Sequence, residues 1–230
     1  MSRALPILLM TIVGGQALAA EPVAATDTAM EFRSIAAAHR DLRAYDLQIR
    51  VSVDSVGSSI PLHAAVKCDE RQRCLRMFNS TTVLQTPEMS LMVDASERTI
   101  MVTRHGGDAV QATPMDTAAA LQAWLDAGGR LSGGELTPEG RHWLFESAKA
   151  GVRAGHMYVD NHSRLLRRLV YSAQTPTGVS TTVDIHYTWG YPTQLNLADF
   201  ETSRFVHEES GAIVPANQYA HYKIILADPK

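Results

Sequence analysis

The stretch Tyr45-Asp-Leu-Gln-Ile-Arg-Val-Ser-Val-Asp54 constrains this chain more tightly than any other. Tyr45, Leu47, Ile49, Val51 and Val53 are apolar, and Asp46, Gln48, Arg50, Ser52 and Asp54 between them are polar. An unbroken period of two makes a strand with one wet face and one buried face, because successive side chains point to opposite sides of a pleated backbone. A helix of the same composition would scatter those apolar groups around its whole surface. The buried face needs a cover, so the remaining sequence must extend the sheet and close over it.

Extended runs follow at Leu62–Cys68, Cys74–Phe78, Thr81–Gln85, Met89–Val93 and Arg98–Thr103, broken by turns such as Val56–Ser59 and Thr86-Pro87. Short strands with turns and no helix between them read as an antiparallel meander. Trp143–Ala148, His156–Asp160, Leu165–Tyr171 and Ser180–Trp189 resume the pattern, with Asn161–Ser163 and Thr175–Gly178 as turns. The last run alternates again, with Val183, Ile185, Tyr187 and Trp189 on one side. Phe200–His207 and Gln218–Leu226 are expected to close the sheet.

Two stretches carry the helical period instead. Thr28-Ala-Met-Glu31 reads as a capping box ahead of a stripe of Phe32, Ile35 and Leu42. Thr113-Pro-Met-Asp116 opens a second helix with Met115, Ala118, Leu121, Trp124 and Leu125 on one face, stopped by Gly128-Gly129. Arg130–Gly140, with Gly133, Gly134 and Pro138, reads as a loop and the best candidate for a mobile flap. No linker divides the chain and no meander repeats, so residues 21–230 are expected to form one domain. Its class is α+β: a large curved antiparallel sheet, a half-barrel of about ten strands, with two or more helices covering the concave face.

Met1–Ala20 reads as a cleaved signal peptide, with Arg3 as positive region, Ala4–Val13 as apolar core and Ala17-Leu-Ala19 as cleavage site. Its apolar run is too short, and too interrupted by Pro6 and Gly14-Gly15, to span a bilayer. No cysteine near the cleavage site offers a lipid anchor, and no later run approaches about 20 apolar residues. The expected destination is the periplasm. Cys68 and Cys74, separated by Asp-Glu-Arg-Gln-Arg, fit an oxidising compartment as a disulfide across a hairpin. The alternative, a redox or metal pair, would need further ligands that the spacing does not suggest.

Chemistry is harder to find. A net charge of −3 without a basic stripe argues against nucleic acid. Nine histidines lie at positions 39, 63, 105, 142, 156, 162, 186, 207 and 221 without metal-type pairing, although His156, His162 and His186 could converge across neighbouring strands. No nucleophile elbow surrounds a serine, Glu208-Glu209 is adjacent rather than opposed, and Gly106-Gly107 and Gly128-Gly129 lack a phosphate-loop context. Nothing calls for catalysis or a cofactor. Nine methionines instead suit an adaptable apolar surface, or ordinary core filling.

The run of elements through Cys74-Leu-Arg-Met-Phe-Asn-Ser80, Gln85-Thr-Pro87 and Leu91-Met-Val-Asp94-Ala-Ser-Glu-Arg-Thr-Ile-Met-Val102 resembles the LolA-type lipoprotein carriers of the bacterial periplasm and the broader outer-membrane lipoprotein-sorting-like proteins. His156–Asp160 through Arg168–Tyr171 is similar to the second half of that family. The resemblance spans residues 28–190 as a pattern of elements and rests on no invariant motif. It implies a half-barrel whose concave apolar face, lidded by helices, holds an acyl chain. On that reading Leu47, Ile49, Val51, Met77, Met89, Leu91, Val93, Val183, Ile185, Tyr187 and Trp189 line the pocket. Phe32, Ile35, Met115, Leu121 and Trp124 then belong to the lids. The Cys68/Cys74 pair and the tail from Phe200 to Lys230 depart from the lipoprotein carrier, so lipoprotein cargo is not carried over. Two functions stay open: a carrier for a lipid, acyl chain or other apolar ligand, and a non-catalytic envelope scaffold with a filled core that binds a protein partner.

Overall fold

Most of the described residues are extended because β-branched and aromatic residues alternate with polar ones over short runs, and such side chains pack best on a pleated surface. A computed structural model describes residues 25–55, 58–71, 73–105, 128–146, 152–174, 180–191 and 193–227. The expected signal peptide, the Met115–Leu125 helix and the Thr175–Gly178 turn lie outside the described residues. One helix, α1 (Ala25–Arg40), precedes β1 (Tyr45–Ser55), β2 (Ser58–Cys68), β3 (Cys74–Phe78), β4 (Thr81–Gln85), β5 (Met89–Asp94) and β6 (Thr99–Arg104). After these come β7 (Arg130–Thr137), β8 (Gly140–Glu146), β9 (Val152–Val159), β10 (Leu166–Gln174) and β11 (Ser180–Gly190). The tail holds β12 (Val206–Glu209), β13 (Ala212–Pro215) and β14 (Lys223–Ala227), with single 3-10 turns at Leu197–Phe200, Thr202–Arg204 and Asn217–Tyr219.

Twelve strands form one open sheet in the order β14-β6-β5-β4-β3-β2-β1-β11-β10-β9-β8-β7. The α+β class and the antiparallel meander are as the sequence suggests. Two compact units can be distinguished. One comprises Met1–Asp41, Val51–Pro61 and Asp116–Tyr187; the other comprises Leu42–Arg50, Leu62–Met115 and Thr188–Lys230.

Four expectations need correction. The first helix starts at Ala25, so Thr28 and Glu31 lie inside it rather than capping it, and it ends before Leu42. Its buried stripe is Phe32, Ile35 and His39. Arg130–Gly140 is not a loop: Arg130–Thr137 pairs with β8 in register, and the two glycines fall at a register shift between Gly133 and Glu135. Gly134 has φ +96°, and a Cβ there would stand 2.8 Å from the Trp143 ring, so glycine absorbs a bulge where the indole needs room. Phe200–His207 is not a strand of the sheet. Its apolar residues sit in 3-10 turns and in the separate β12–β13 hairpin. Finally, β14 joins β6 in parallel, Ile224 beside Ile100 and Leu226 beside Val102. Strand direction leaves no trace in a period of two.

The cysteines form a disulfide at the mouth of the β2–β3 ladder, with Cα atoms 4.2 Å apart. Beyond it, the Asp69 carboxylate accepts from the backbone N–H groups of Arg71 and Arg73 and pairs with the Arg73 guanidinium at 2.7 Å. The polar loop is therefore organised by one nearly buried aspartate.

Removing the cross-link with Cys68→Ala/Cys74→Ala should cost about 2 kcal/mol for so short a loop. The melting temperature should fall by roughly 4–8 °C, by calorimetry against the oxidised protein. Gly155→Ala should cost roughly 1–3 kcal/mol in urea unfolding. A Cβ there would lie 2.3 Å from the Phe145 ring and 2.4 Å from the Val170 carbonyl oxygen, and the latter cannot swing away.

Candidate functional site

In the first unit, α1 lays Phe32 and Ile35 onto Trp143 and Phe145 of β8, Met157 and Val159 of β9, and Leu166 and Leu169 of β10. Leu131, Tyr171, Ile185 and Tyr187 flank this cluster. Burial raises the Tyr171 and Tyr187 hydroxyl pKa values, because a phenolate there would lose its water. Two polar contacts fix the helix in register. Glu31 pairs with Arg164 and, at 3.7 Å, with Arg141. The buried His39 ring donates from Nδ1 to the Ile35 carbonyl (2.9 Å), and its Nε2 accepts from the Leu166 N–H (3.2 Å). A carbonyl only accepts and an amide N–H only donates, so these partners require the neutral ring. Burial lowers the His39 pKa, against a smaller opposite pull from the Ile35 hydrogen bond.

In the second unit, Leu75, Leu84, Leu91, Val93, Ile100 and Val102 pack against Phe200, Phe205 and Val206 of the tail, with Met89 alongside. Leu91 is 0% exposed. The tail is tied down by Lys67–Asp199 (2.7 Å), which holds the Asp199 carboxyl below its ordinary pKa, and by the Arg73 guanidinium 5.2 Å over the Phe200 ring. The expected pocket residues Met89, Leu91 and Val93 thus meet the chain's own tail. Leu47, Ile49 and Val183 are buried, and Val51, Met77, Ile185, Tyr187 and Trp189 are half-buried. The Tyr45 ring lies 5.6 Å from Trp189.

The opposite side chains of these strands form a second apolar row. Val66 pairs with Arg76, Arg76 with Val83, Val83 with Met92, Met92 with Met101, and Met101 with Ile225. Directly opposed residues share a face, so this row crosses β2, β3, β4, β5, β6 and β14. Met92 is 38% and Ile225 37% exposed, Val83 and Met101 are half-buried, and Phe78 stands exposed one step along β3. The residue-by-residue expectation missed this row. Leu91-Met92-Val93 and Ile100-Met101-Val102 hold three apolar residues in succession, which signals apolar character on both faces.

On the polar face of β7–β11, Glu135, His142, Tyr158, Arg168 and His186 stand directly opposite one another in turn. Arg168 binds Asp184 through two nitrogens (3.0 and 2.8 Å) and lies 5.7 Å over the Tyr158 ring. The three histidines named from sequence do not converge. His186 pairs with Asp184, His162 sits in the Asp160 turn, and His156 meets His142 instead. Among the described residues no group of three or more His, Cys, Asp and Glu could hold a metal, and no helix is long and apolar enough to cross a membrane. An open cleft of about 260 Å³ is lined by Arg71, Arg73, Pro87 and Glu88.

No family model matches the chain, and no curated protein matches it either. Among solved structures it is similar to an uncharacterized conserved protein from Thermus thermophilus, at 13% identity and TM-score 0.46, covering 86% of this chain and 99% of that one. A LolA superfamily protein from Nitrosomonas europaea aligns at 9% identity and TM-score 0.32, over 74% of this chain and 96% of that one. The MucA/MucB complex of Pseudomonas aeruginosa aligns at 10% identity and TM-score 0.41, over 76% of this chain and 60% of the matched one. At these scores the functional reading rests on the chain's own residues.

The His39 contacts set a pH dependence. An unfolded histidine takes a proton near 6.5, and the buried ring takes it less readily. The stability tied to neutral His39 is therefore complete above pH 6.5 and is lost as pH falls below it. Unfolding midpoints measured from pH 7.5 to 5 should fall for the native chain, and His39→Gln should flatten that slope.

Proposed function

We propose that this protein is an exported, non-catalytic binding module of the cell envelope that holds a lipid, an acyl chain or another apolar ligand. The observation carrying this reading is the in-register row of Val83, Met92, Met101 and Ile225, flanked by Phe78 and bounded at β3 by the Arg76 guanidinium. Aliphatic and thioether groups suit a ligand without directional hydrogen bonds, and methionine repacks around chains of different shape. The disulfide supports the exported half of the proposal, since such bonds persist in oxidising compartments. The resemblance of the element pattern to LolA-type carriers points the same way. In this reading Leu91 and Val93 serve packing beneath the tail.

One observation favours a second reading, a scaffold for a protein partner. Phe200, Phe205 and Val206 fill the second unit's core with the chain's own side chains. An apolar row above a filled core would then receive a partner's side chains rather than an acyl chain.

Native mass spectrometry of protein isolated from its own compartment should show co-purifying lipid, and fluorescent fatty acids should bind it. Met92→Glu and Met101→Glu should each weaken that uptake about tenfold or more, as a charge placed against an acyl chain would. The melting temperature of the exposed Met92 variant should change little. Absence of both lipid and uptake would sink the carrier; a stoichiometric protein partner lost in the same variants would establish the scaffold instead.

A further inference from the structure

The row that runs from β3 to β14 is apolar except at its β3 end. Arg76 stands there, opposite Val83, and the row continues through Met92 and Met101 to Ile225. Arg76 is half-buried, and its Nη1 donates to the Gln85 side-chain oxygen at 3.3 Å, a contact that ties the guanidinium to the neighbouring strand. A line of aliphatic and thioether groups headed by one permanent cation has a direction. Neighbouring strands lie about 4.7–4.9 Å apart, so the four steps from Arg76 to Ile225 cover about 19 Å, the reach of a long unbranched acyl chain.

We propose that Arg76 receives the carboxylate of a long-chain fatty acid whose hydrocarbon tail lies across Val83, Met92 and Met101 towards Ile225. This rests on the carrier reading above and adds the ligand's headgroup and its direction. A guanidinium stays charged at any physiological pH, and its planar fork matches the two oxygens of a carboxylate. Beside half-buried apolar side chains that attraction is screened less than on an open surface. A neutral ester with the same tail has no charge to place there, so the row should separate free acids from esters. Two further charges share this face, Asp94 and Lys223, each directly opposite Thr99. Hydrogen bonds from Ser96 and Glu97 hold the Asp94 carboxyl below its ordinary pKa, so it stays ionised and repels an anion from that side. Lys223 is exposed and lies in the same row as Asp94, so the Arg76 end is the better place for the headgroup.

The test measures palmitate and methyl palmitate binding to the intact folded chain by calorimetry, with laurate as a shorter acid. The native protein should bind palmitate at least about tenfold more tightly than its ester, the effect expected of a hydrogen bond to a charged group. Arg76→Gln should bring palmitate down to the level of the ester and leave the ester unchanged. Arg76→Lys, which keeps the charge and loses the fork, should retain part of the preference. Lys223→Gln should leave the preference intact. Ile225→Ser should weaken palmitate several-fold but spare laurate, whose tail ends short of β14. Circular dichroism should show the same fold in every variant. Equal affinity for acid and ester, or a preference that survives Arg76→Gln, overturns the headgroup assignment and leaves the carrier reading standing. A preference lost in Lys223→Gln, or laurate weakened as much as palmitate by Ile225→Ser, overturns it by reversing the direction. Binding of neither ligand removes the carrier reading, and this inference with it.

Discussion

Cross-strand register is the constraint on which the rest depends. Once Leu75, Leu84, Leu91 and Val102 are paired in one row, every intervening residue is committed to the other face. That places Val83, Met92 and Met101 together without any contact having to select them individually. In the first unit the same rule sends Trp143, Phe145 and Met157 towards α1 and leaves His142, His156 and Tyr158 on the polar side. A slip of one residue in either ladder would exchange core and surface completely. Tail and helix packing raise the cost of such a slip.

Those covers are held by few polar contacts, each joining segments distant in sequence. Glu31 and His39 position α1 on β8–β10, and Lys67–Asp199 with Arg73–Phe200 position the tail on the β2–β3 hairpin. Apolar burial supplies most of the driving force, yet it is indifferent to rotation and sliding. Directional groups such as the His39 imidazole choose one arrangement among many of similar burial. His39 can do so only while neutral, which ties helix placement to pH.

Much of the fold was legible because short alternating strands separated by turns write their pattern directly into the chain. Cys74–Phe78 and Thr81–Gln85 match the expected bounds, and Cys68 and Cys74 are joined as the hairpin spacing suggested. Glycine in Arg130–Gly140 misled, because Gly133 and Gly134 read locally as a break while, within a strand, the Trp143 ring across the ladder leaves no room for a Cβ at Gly134. The tail misled for a similar reason. Phe200, Phe205 and Val206 follow neither period, since they come from a 3-10 turn, the residue after a second one and the start of β12, and their destination is set by tertiary contacts. The candidate site was half legible. Periodicity separates two faces, but which one the tail would occupy depends on residues more than a hundred positions away, such as Phe200, which joins the cluster that holds Leu91. The His142–His156 pair was invisible because it follows from strand pairing and not from sequence spacing.

The central claim is that the face carrying Met92 and Met101 binds, while the face carrying Leu91 packs. Methyl NMR with labelled methionine tests it most directly, since Met92 and Met101 report one face and Met77 and Met89 the other. On titration with a long-chain fatty acid, the account predicts saturable shifts at Met92 and Met101 and nearly fixed positions for Met77 and Met89. Shifts confined to Met77 and Met89, with Met92 and Met101 unmoved, would contradict it.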